Sequence, residues 1–359
     1  MNNLEKLQSL CGGDFDALLL TSEANRFYAT GVKTSAGVVL ITGKSAAFLT
    51  DFRYMEAAQK QRGGFDVIIA TRESGNSYED TVKKLAQDSG VKRVGFEEDA
   101  LTVGAYEKWR SALGRGVEWI PSQQTLYKAR AVKAAWELER MKKAQRIAER
   151  AYGAVLSVMR QGMTEREVAA ELTYHMLKNG ASAMSFDPIV ISGPNSSLPH
   201  GEPTDRPLQE GDFVIIDIGC VADGYCSDMT RTVAVGGADA EMRKVYGVVL
   251  DAQRTGISAA RAGVKGADIH NAAARVIEEA GYGERFGHGF GHGIGIEVHE
   301  SYGAHPRENR SLPAGAVITA EPGIYLPGRF GVRIEDCVVL REGGAENLTL
   351  AGKELQIIP

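Results

Sequence analysis

Short apolar runs alternate with amphipathic stretches from residue 14 to about residue 125. The runs FDALLL, AGVVLI, SAAFLT, FDVIIA and VKRVGF have the length and side-chain character of strands. Between them, SYEDTVKKLAQDSG and VGAYEKWRSAL place apolar residues at helical spacing. This alternation predicts an α/β layer for the N-terminal third of the chain.

One segment of this layer, GVVLITGKS at residues 37–45, resembles a phosphate-binding loop. It has five residues between its glycines where that loop requires four, and it lacks the glycine-rich turn before a helix. We interpret it as a strand followed by a turn. The N-terminal region therefore offers little candidate chemistry.

A polar stretch, SQQTLYKARAVK, separates this layer from a long helical pattern between about residues 134 and 160. In that pattern, apolar side chains recur every three or four residues and form one face. The members of this face are Trp136, Met141, Ala144, Ile147, Ala148 and Ala151. We place the boundary near residues 122–130, which predicts one domain over residues 1–125 and a second over residues 130–359.

The second region contains an internal repeat. At a constant offset of 104, the positions 206, 208, 211, 214, 217 and 219 match 310, 312, 315, 318, 321 and 323 in the pattern Arg, Leu, Gly, apolar, acid, Gly. Upstream, Arg160, Gly162 and Gly180 match residues 261, 263 and 281 at an offset of 101, and each set frames an amphipathic helix. Two helix-then-strand halves predict a pseudo-twofold domain with its site between the halves.

Composition narrows the classes of function. The 359 residues include 43% hydrophobic and 24% charged residues, with a formal charge of −5, which is typical of soluble globular proteins. That charge gives no reason to expect nucleic acid or an anionic membrane as a partner. The N-terminus lacks signal-peptide features, no apolar run approaches a membrane span, and four cysteines are too few for a disulfide framework. We expect a cytoplasmic protein with reduced thiols.

Four acidic residues occupy related places in the two copies. Asp217 ends the apolar run FVIID, and Asp228 follows 11 residues later, before a segment that we expect to pair with the first strand. Glu321 in AVITAEPG and Glu335 in GVRIEDCVV repeat this plan. Because an unpaired carboxylate is costly to bury, four acids on core strands require cations.

Histidine supplies another ligand type. Four of the seven histidines, His288, His292, His299 and His305, lie within 18 residues, and a glycine flanks His292 on either side.

The four acids contribute a charge of −4 and two divalent cations would contribute +4. This balance indicates a carboxylate-bridged pair of ions of the kind that activates water for attack on a carbonyl group. Oxygen ligands with one imidazole favour Mn, Co, Fe or Zn. We interpret His305, like His175 and His270, as a surface or helix residue.

The order of Asp217, Asp228, His292 in GHG, Glu321 in EPG and Glu335 in RIED resembles that of the pita-bread metallopeptidases. This family includes methionine aminopeptidase, prolidase and aminopeptidase P. The likeness covers residues 130–359, and the first region resembles the N-terminal domain of the creatinase, prolidase and aminopeptidase P branch. The resemblance implies an α+β fold, in which a duplicated pita-bread catalytic domain follows a smaller α/β domain of the creatinase type.

The resemblance also implies roles for individual residues. Two metal ions, with manganese preferred to cobalt, zinc or iron, would be held by Asp217, Asp228, His292, Glu321 and Glu335. Asp228 and Glu335 would bridge both ions, and Glu321 would also act as general base. Substrate would bind at His200, His288 and His299, with His200 and His299 also assisting catalysis, and Tyr325 and Arg333 would orient the base and the ligands. Relatives with this N-terminal domain also imply a homodimer.

The length of the N-terminal domain argues against methionine aminopeptidase and leaves two kinds of Xaa-Pro peptidase. Prolidases of this type commonly follow the His-Glu pair with a proline and an arginine suited to a dipeptide carboxylate. Here His299 and Glu300 precede SYG, and the nearest such pair is Pro306 and Arg307. We therefore expect an aminopeptidase that acts on short proline-containing peptides. The alternatives are a prolidase and, more remotely, a non-catalytic binding protein of the same fold.

Overall fold

The computed structural model describes residues 2–61, 63–70 and 77–359. The chain divides into two compact units, Met1–Arg130 and Ala131–Pro359. In the described part of the chain, no helix combines the length and apolar character needed to cross a bilayer.

The first unit is built around a mixed six-stranded sheet with the strand order β4-β3-β2-β1-β5-β6. Its elements, up to the helix that ends at the boundary, are α1 (Asn3–Gln8), β1 (Ala17–Leu20), α2 (Glu23–Thr30), β2 (Val38–Thr42), β3 (Ala46–Thr50), α3 (Met55–Lys60), β4 (Asp66–Ile69), α4 (Tyr78–Asp88), β5 (Arg93–Phe96), α5 (Val103–Leu113), β6 (Glu118–Pro121) and α6 (Gln123–Ala131).

Local sequence explains these elements. Leu18, Leu19 and Leu20 in β1 are all buried, as a strand covered on both faces requires. Ser77 and Thr102 begin α4 and α5 by accepting a hydrogen bond from the backbone N–H three residues later. Residues 37–45 form β2 and the turn into β3, whereas the polar stretch expected to be a boundary forms α6.

The second unit carries four helices and several small sheets. Its elements are α7 (Ala135–Leu156), α8 (Glu165–Lys178), β7 (Ala183–Met184), β8 (Ile189–Ser192), β9 (Phe213–Ile218), β10 (Cys220–Ala222), β11 (Tyr225–Cys226), β12 (Met229–Val235), α9 (Ala240–Ala259), α10 (Gly266–Glu279), β13 (Gly291–Gly293), β14 (Glu300–Ala304), β15 (Val317–Ala320), β16 (Gly323–Leu326), β17 (Phe330–Arg333), β18 (Asp336–Arg341), β19 (Gly344–Asn347) and β20 (Ile357–Ile358). The two larger sheets have the orders β20-β12-β9-β8 and β14-β13-β15-β18-β19.

The repeat in the sequence corresponds to a repeat in the backbone. Helices α8 and α10 have 14 residues each, and β9 pairs with β12 as β15 pairs with β18, both antiparallel. The N–H of Gly162 donates to the carbonyl of Leu208, and that of Gly263 donates to the carbonyl of Leu312. Both glycines have positive φ, a conformation that other residues adopt with strain.

A buried ion pair links the two halves of the second unit. Arg231 in β12 and Asp336 in β18 are 1% and 0% exposed, and their charged atoms lie 2.8 Å apart. The Arg231 guanidinium also donates to the carbonyls of Glu335 and Gly352. Lys353 donates to the second carboxylate oxygen of Asp336 at 2.7 Å. The fully enclosed guanidinium therefore joins both sheets to the C-terminal segment.

We expect Arg231→Met to lower the free energy of unfolding by about 3–5 kcal/mol, because it leaves the Asp336 carboxylate buried with an incomplete set of partners. Urea unfolding measures the change. The matched control is Arg341→Met, which breaks an exposed pair with Glu346 and is expected to lower the free energy by less than about 1 kcal/mol. Equal effects of the two substitutions would contradict the importance given to burial.

Candidate metal centre and substrate cavity

The acidic residues lie at equivalent ends of two antiparallel strand pairs. Asp217 in β9 pairs in register with Thr230 in β12, and Asp228 directly precedes β12. In the second half, Glu321 directly follows β15 and Glu335 directly precedes β18. The duplication therefore presents one acid from each of four strand ends, and these ends converge.

The converging side chains lie close enough together to share a metal ion as ligands. Ligand atoms of Asp228, His292 and Glu335 all lie within 4.8 Å of one another. His292 Nε2 is 3.5 Å from Asp228 Oδ2 and 3.4 Å from Glu321 Oε1. His292 Nδ1 donates to the Gly293 carbonyl at 3.0 Å, which leaves Nε2 facing the carboxylates as an unprotonated ligand atom.

Hydroxyl groups hold two of the carboxylates in place. The Thr230 hydroxyl donates to Glu335 Oε2 at 2.6 Å, and the Thr319 hydroxyl donates to Glu321 Oε1 at 3.0 Å. The same Thr319 oxygen accepts the backbone N–H of His292. These contacts orient the carboxylates and the imidazole before any ion binds, as supporting groups do around metal ligands.

Burial and mutual repulsion raise the pKa values of the carboxyl groups in this cluster and so oppose their ionisation. Burial raises the pKa of Asp228 well above its usual range, and the charges of Asp217 and Glu321 raise it further. Burial likewise raises the pKa of Glu335 strongly, with Asp228 as the next cause. Burial also raises the pKa of Glu321. The arrangement therefore strongly favours added positive charge.

Arg333 in β17 supplies the fixed positive charge of the site. Although burial alone would lower its pKa, neighbouring Tyr325, Asp217 and Glu321 raise it well above the ordinary value. Its Nη2 donates to Asp217 Oδ2 at 2.6 Å, and its Nη1 donates to the Tyr325 hydroxyl at 2.8 Å. The other oxygen, Asp217 Oδ1, is buried and has no hydrogen-bond donor among the residues that the structure describes. The single positive charge of Arg333 thus leaves part of the negative charge of the acidic cluster uncompensated.

A cavity of about 440 Å³ opens beside the acidic cluster. Its walls carry all five candidate metal ligands together with Phe186, Asp187, Ile189, Pro199, His200, His288, Gly289, Gly291, Val298, His299, His305 and Arg333. This volume falls within the usual range for small-ligand sites. The cavity wall therefore combines apolar side chains and imidazoles with the carboxylates of the acidic cluster.

The structure brings together the predicted site residues. The imidazoles of His292 and His299 lie 4.3 Å apart between ring centroids. His288 Nε2 is 2.9 Å from the Tyr325 hydroxyl, so Tyr325 reaches the site through His288 and Arg333 although it is not on the wall. Burial lowers the pKa of His288, His292 and His299, which favours their neutral forms.

His305 differs from the sequence interpretation, whereas His270 lies in a helix as that interpretation allowed. His305 lies on the cavity wall instead of on a surface without a role. His270 is buried in α10, where it stacks on Phe286 and accepts the backbone N–H of Phe290. The clustering of His288, His292, His299 and His305 was the only signal in the sequence that could have placed His305 at the site. Arg307, considered for a dipeptide carboxylate, is exposed and is not on the wall.

Comparison with known proteins gives matches across nearly the whole chain. The family model for metallopeptidase family M24 matches residues 139–342, and the model for the creatinase/prolidase N-terminal domain matches residues 4–132. An Xaa-Pro dipeptidase of Pyrococcus horikoshii is 35% identical over 342 residues, which cover 95% of this chain and 94% of the relative.

Two solved structures match closely. An Xaa-Pro dipeptidase from Bacillus anthracis has a TM-score of 0.93 and 41% identity, with 99% of each chain covered. An X-Pro aminopeptidase from Thermotoga maritima has a TM-score of 0.92 and 37% identity, with 98% of this chain and all of the other covered. The predicted fold, a creatinase-type α/β domain followed by a duplicated α+β catalytic domain, is confirmed.

The raised pKa values predict how pH affects the metal-free protein. Asp228, Glu321 and Glu335 would ionise near pH 4 in the unfolded chain, whereas the folded state retains their protons to higher pH. Above about pH 4 the folded state therefore binds more protons than the unfolded state, and the contribution of these groups to stability is lost as pH rises. We expect the drop in free energy of unfolding from about pH 5 to about pH 7.5 to be smaller in Asp228→Asn/Glu335→Gln. Urea unfolding in chelator measures both proteins, and identical slopes would contradict the prediction.

Proposed function

The chain belongs to metallopeptidase family M24 and is a metal-dependent exopeptidase of the Xaa-Pro branch, and from this premise we propose that it hydrolyses Xaa-Pro dipeptides. The observation that carries the proposal is a cavity in which the side chains of five candidate metal ligands meet three further imidazoles, those of His200, His288 and His299. The relatives from P. horikoshii and B. anthracis, both Xaa-Pro dipeptidases, support the dipeptide as substrate. This reverses the order of the two activities that the SYG sequence after His299 and Glu300 favoured.

The second candidate is an Xaa-Pro aminopeptidase that releases the first residue of longer peptides. The likeness to the T. maritima X-Pro aminopeptidase supports it. The exposed position of Arg307, away from the cavity wall, also supports it, because that side chain is not placed to clamp a dipeptide carboxylate. The length of the preferred peptide distinguishes the two candidates.

We assign two divalent metal ions to Asp217, Asp228, His292, Glu321 and Glu335. The buried Asp217 Oδ1 without a donor and the raised pKa values of its neighbours support this assignment, since cations would satisfy both. Carboxylates with one imidazole suit manganese, cobalt, iron or zinc, and manganese is our first choice. When bound, such ions polarise a carbonyl group and lower the pKa of water from about 15.7 to near 7.

Glu321 is the proposed general base. Its carboxylate lies at the edge of the cluster, 3.4 Å from His292 Nε2, and the Thr319 hydroxyl orients it. Its raised pKa moves it toward the range in which a carboxylate can take a proton from water and return it. We propose that it passes this proton to the leaving prolyl nitrogen.

Imidazoles and apolar side chains are proposed to hold the substrate. His200 and His299 would donate hydrogen bonds to the scissile carbonyl oxygen as it gains negative charge. The prolyl nitrogen has no hydrogen before cleavage, so a pocket and not backbone pairing must recognise the ring. Phe186, Ile189 and Val298 give the cavity an apolar wall for that ring. Tyr325 and Arg333 orient His288 and Asp217 through their hydrogen bonds.

The remaining expectations concern assembly and place in the cell. We propose a homodimer, as the resemblance to relatives with this N-terminal domain implies, and a cytoplasmic location, as the small number of cysteines favours. Light scattering coupled to gel filtration tests the dimer.

Substrate length tests the proposed activity. We expect the manganese-loaded enzyme to hydrolyse Ala-Pro with a kcat/KM at least about tenfold above that for Ala-Pro-Ala. The reason is that a site that binds the carboxylate of the proline itself favours the dipeptide, in which proline is the C-terminal residue. Mass spectrometry identifies the products, Ala-Ala-Ala is the control peptide, and chelation should abolish the activity. A preference for Ala-Pro-Ala would select the aminopeptidase, and cleavage of neither proline peptide would overturn the proposal.

The metal assignment predicts a loss of ions without a loss of fold. Asp228→Ala and Glu335→Ala should each bind less metal and lower kcat/KM roughly 100-fold or more, since groups that merely support ligands already contribute 10- to 100-fold. Elemental analysis after gel filtration measures the metal, and circular dichroism checks the fold. Glu346→Ala, at an exposed acid, is the matched control. Full metal content in either ligand variant would contradict the dinuclear assignment.

A further inference from the structure

A dipeptide carries its own carboxylate next to the bond that is cleaved. The cavity wall already carries five carboxylates, the four of the acidic cluster and Asp187, so a sixth enters only if hydrogen-bond donors compensate for its loss of water. The side-chain donors on the wall are those of Arg333 and five histidines, His200, His288, His292, His299 and His305. The group that recognises the carboxylate should be found among them.

Several of these donors are already engaged. Arg333 donates to Asp217, Thr230, the Pro199 carbonyl and Tyr325. His288 uses both ring nitrogens, one with the Gly289 carbonyl and one with the Tyr325 hydroxyl.

The other imidazoles differ in their neighbours. His292 faces the acidic cluster, and His299 packs against His292 with ring centroids 4.3 Å apart. His200 and His299 are already assigned to the scissile carbonyl. His305 is the donor on the wall for which no other task has been found.

The position of His305 is specific. It directly follows β14, which begins next to His299. A Cβ added at Gly289 would lie 2.9 Å from the Cβ of His305, so only glycine at residue 289 lets this histidine lie so close against the wall. The sequence GHGF thus accommodates His305 beside His288.

The environment of His305 suits a group that meets an anion. Its Nε2 is 4.0 Å from Glu308 Oε2, and the buried Glu308 accepts Arg310 Nε on Oε1 at 2.8 Å and Arg310 Nη2 on Oε2, so that Arg310 offsets the charge of Glu308. The backbone N–H of Glu308 donates to the His305 carbonyl at 3.0 Å, which anchors the segment. The His305 side chain is 44% exposed, so a ligand in the cavity can reach it.

We propose that His305 donates a hydrogen bond to the free carboxylate of the substrate's C-terminal proline and so makes the enzyme selective for dipeptides. The inference rests on the proposed dipeptidase function. It assigns the recognition of the carboxylate to an imidazole on the cavity wall and not to the exposed Arg307.

A comparison of Ala-Pro with Ala-Pro amide tests this assignment, because the two substrates differ only in the terminal charge. We expect His305→Ala to raise KM for Ala-Pro roughly 10- to 100-fold with kcat changed only a few-fold, since hydrogen bonds to charged groups have this strength. Hydrolysis of the amide should change little. His305→Gln, which keeps a donor, should recover part of the preference for the acid. His175→Ala, on α8 and away from the cavity wall, is the matched control.

The outcomes separate the two proposals. A wild-type enzyme without preference for the free acid overturns the dipeptidase function and the role of His305 together. A wild-type preference that persists unchanged in His305→Ala overturns only the role of His305. Equal losses on the acid and the amide indicate a structural effect of the substitution and also overturn carboxylate recognition.

Discussion

The repulsion among four buried carboxylates is the constraint around which the catalytic unit is organised. Asp217, Asp228, Glu321 and Glu335 meet in one place, and burial raises the pKa of the last three. Arg333 offsets part of the negative charge, and hydroxyl groups orient individual oxygens. The remaining charge would attract divalent cations, so the mutual repulsion of these carboxylates and their proposed role as metal ligands have the same physical origin.

Duplication explains how one chain assembles such a cluster. Each half contributes an antiparallel strand pair with two acids at the same end. Because the two halves are related by the duplication, their strand pairs bring all four acids together. The buried pair of Arg231 and Asp336 joins β12 of the first half to β18 of the second, directly beside Glu335. Since a fully enclosed charge tolerates little displacement of its partner, this pair restrains the backbone that carries a proposed metal ligand.

The residues proposed to select the substrate lie between the matched segments of the repeat. The histidines of the cavity wall come mainly from β13, β14 and the segments around them, and the first half supplies His200 and apolar residues. His299 directly precedes β14 and His305 directly follows it, and both side chains lie on the cavity wall. A short strand therefore sets the separation between the group proposed to contact the scissile carbonyl and the group proposed to contact the terminal carboxylate.

The sequence by itself determined five of the six strands of the first sheet, the duplication and the order of the candidate ligands, because strand periodicity, glycine spacing and acid positions are local properties of the chain. Only the tertiary structure decided which donors remain for a substrate. Arg333 meets Asp217 across 116 residues of sequence, and Tyr325 meets His288 across 37. No local pattern encodes such pairings. For the same reason His305 looked like a surface residue until the fold packed it against Gly289 on the cavity wall.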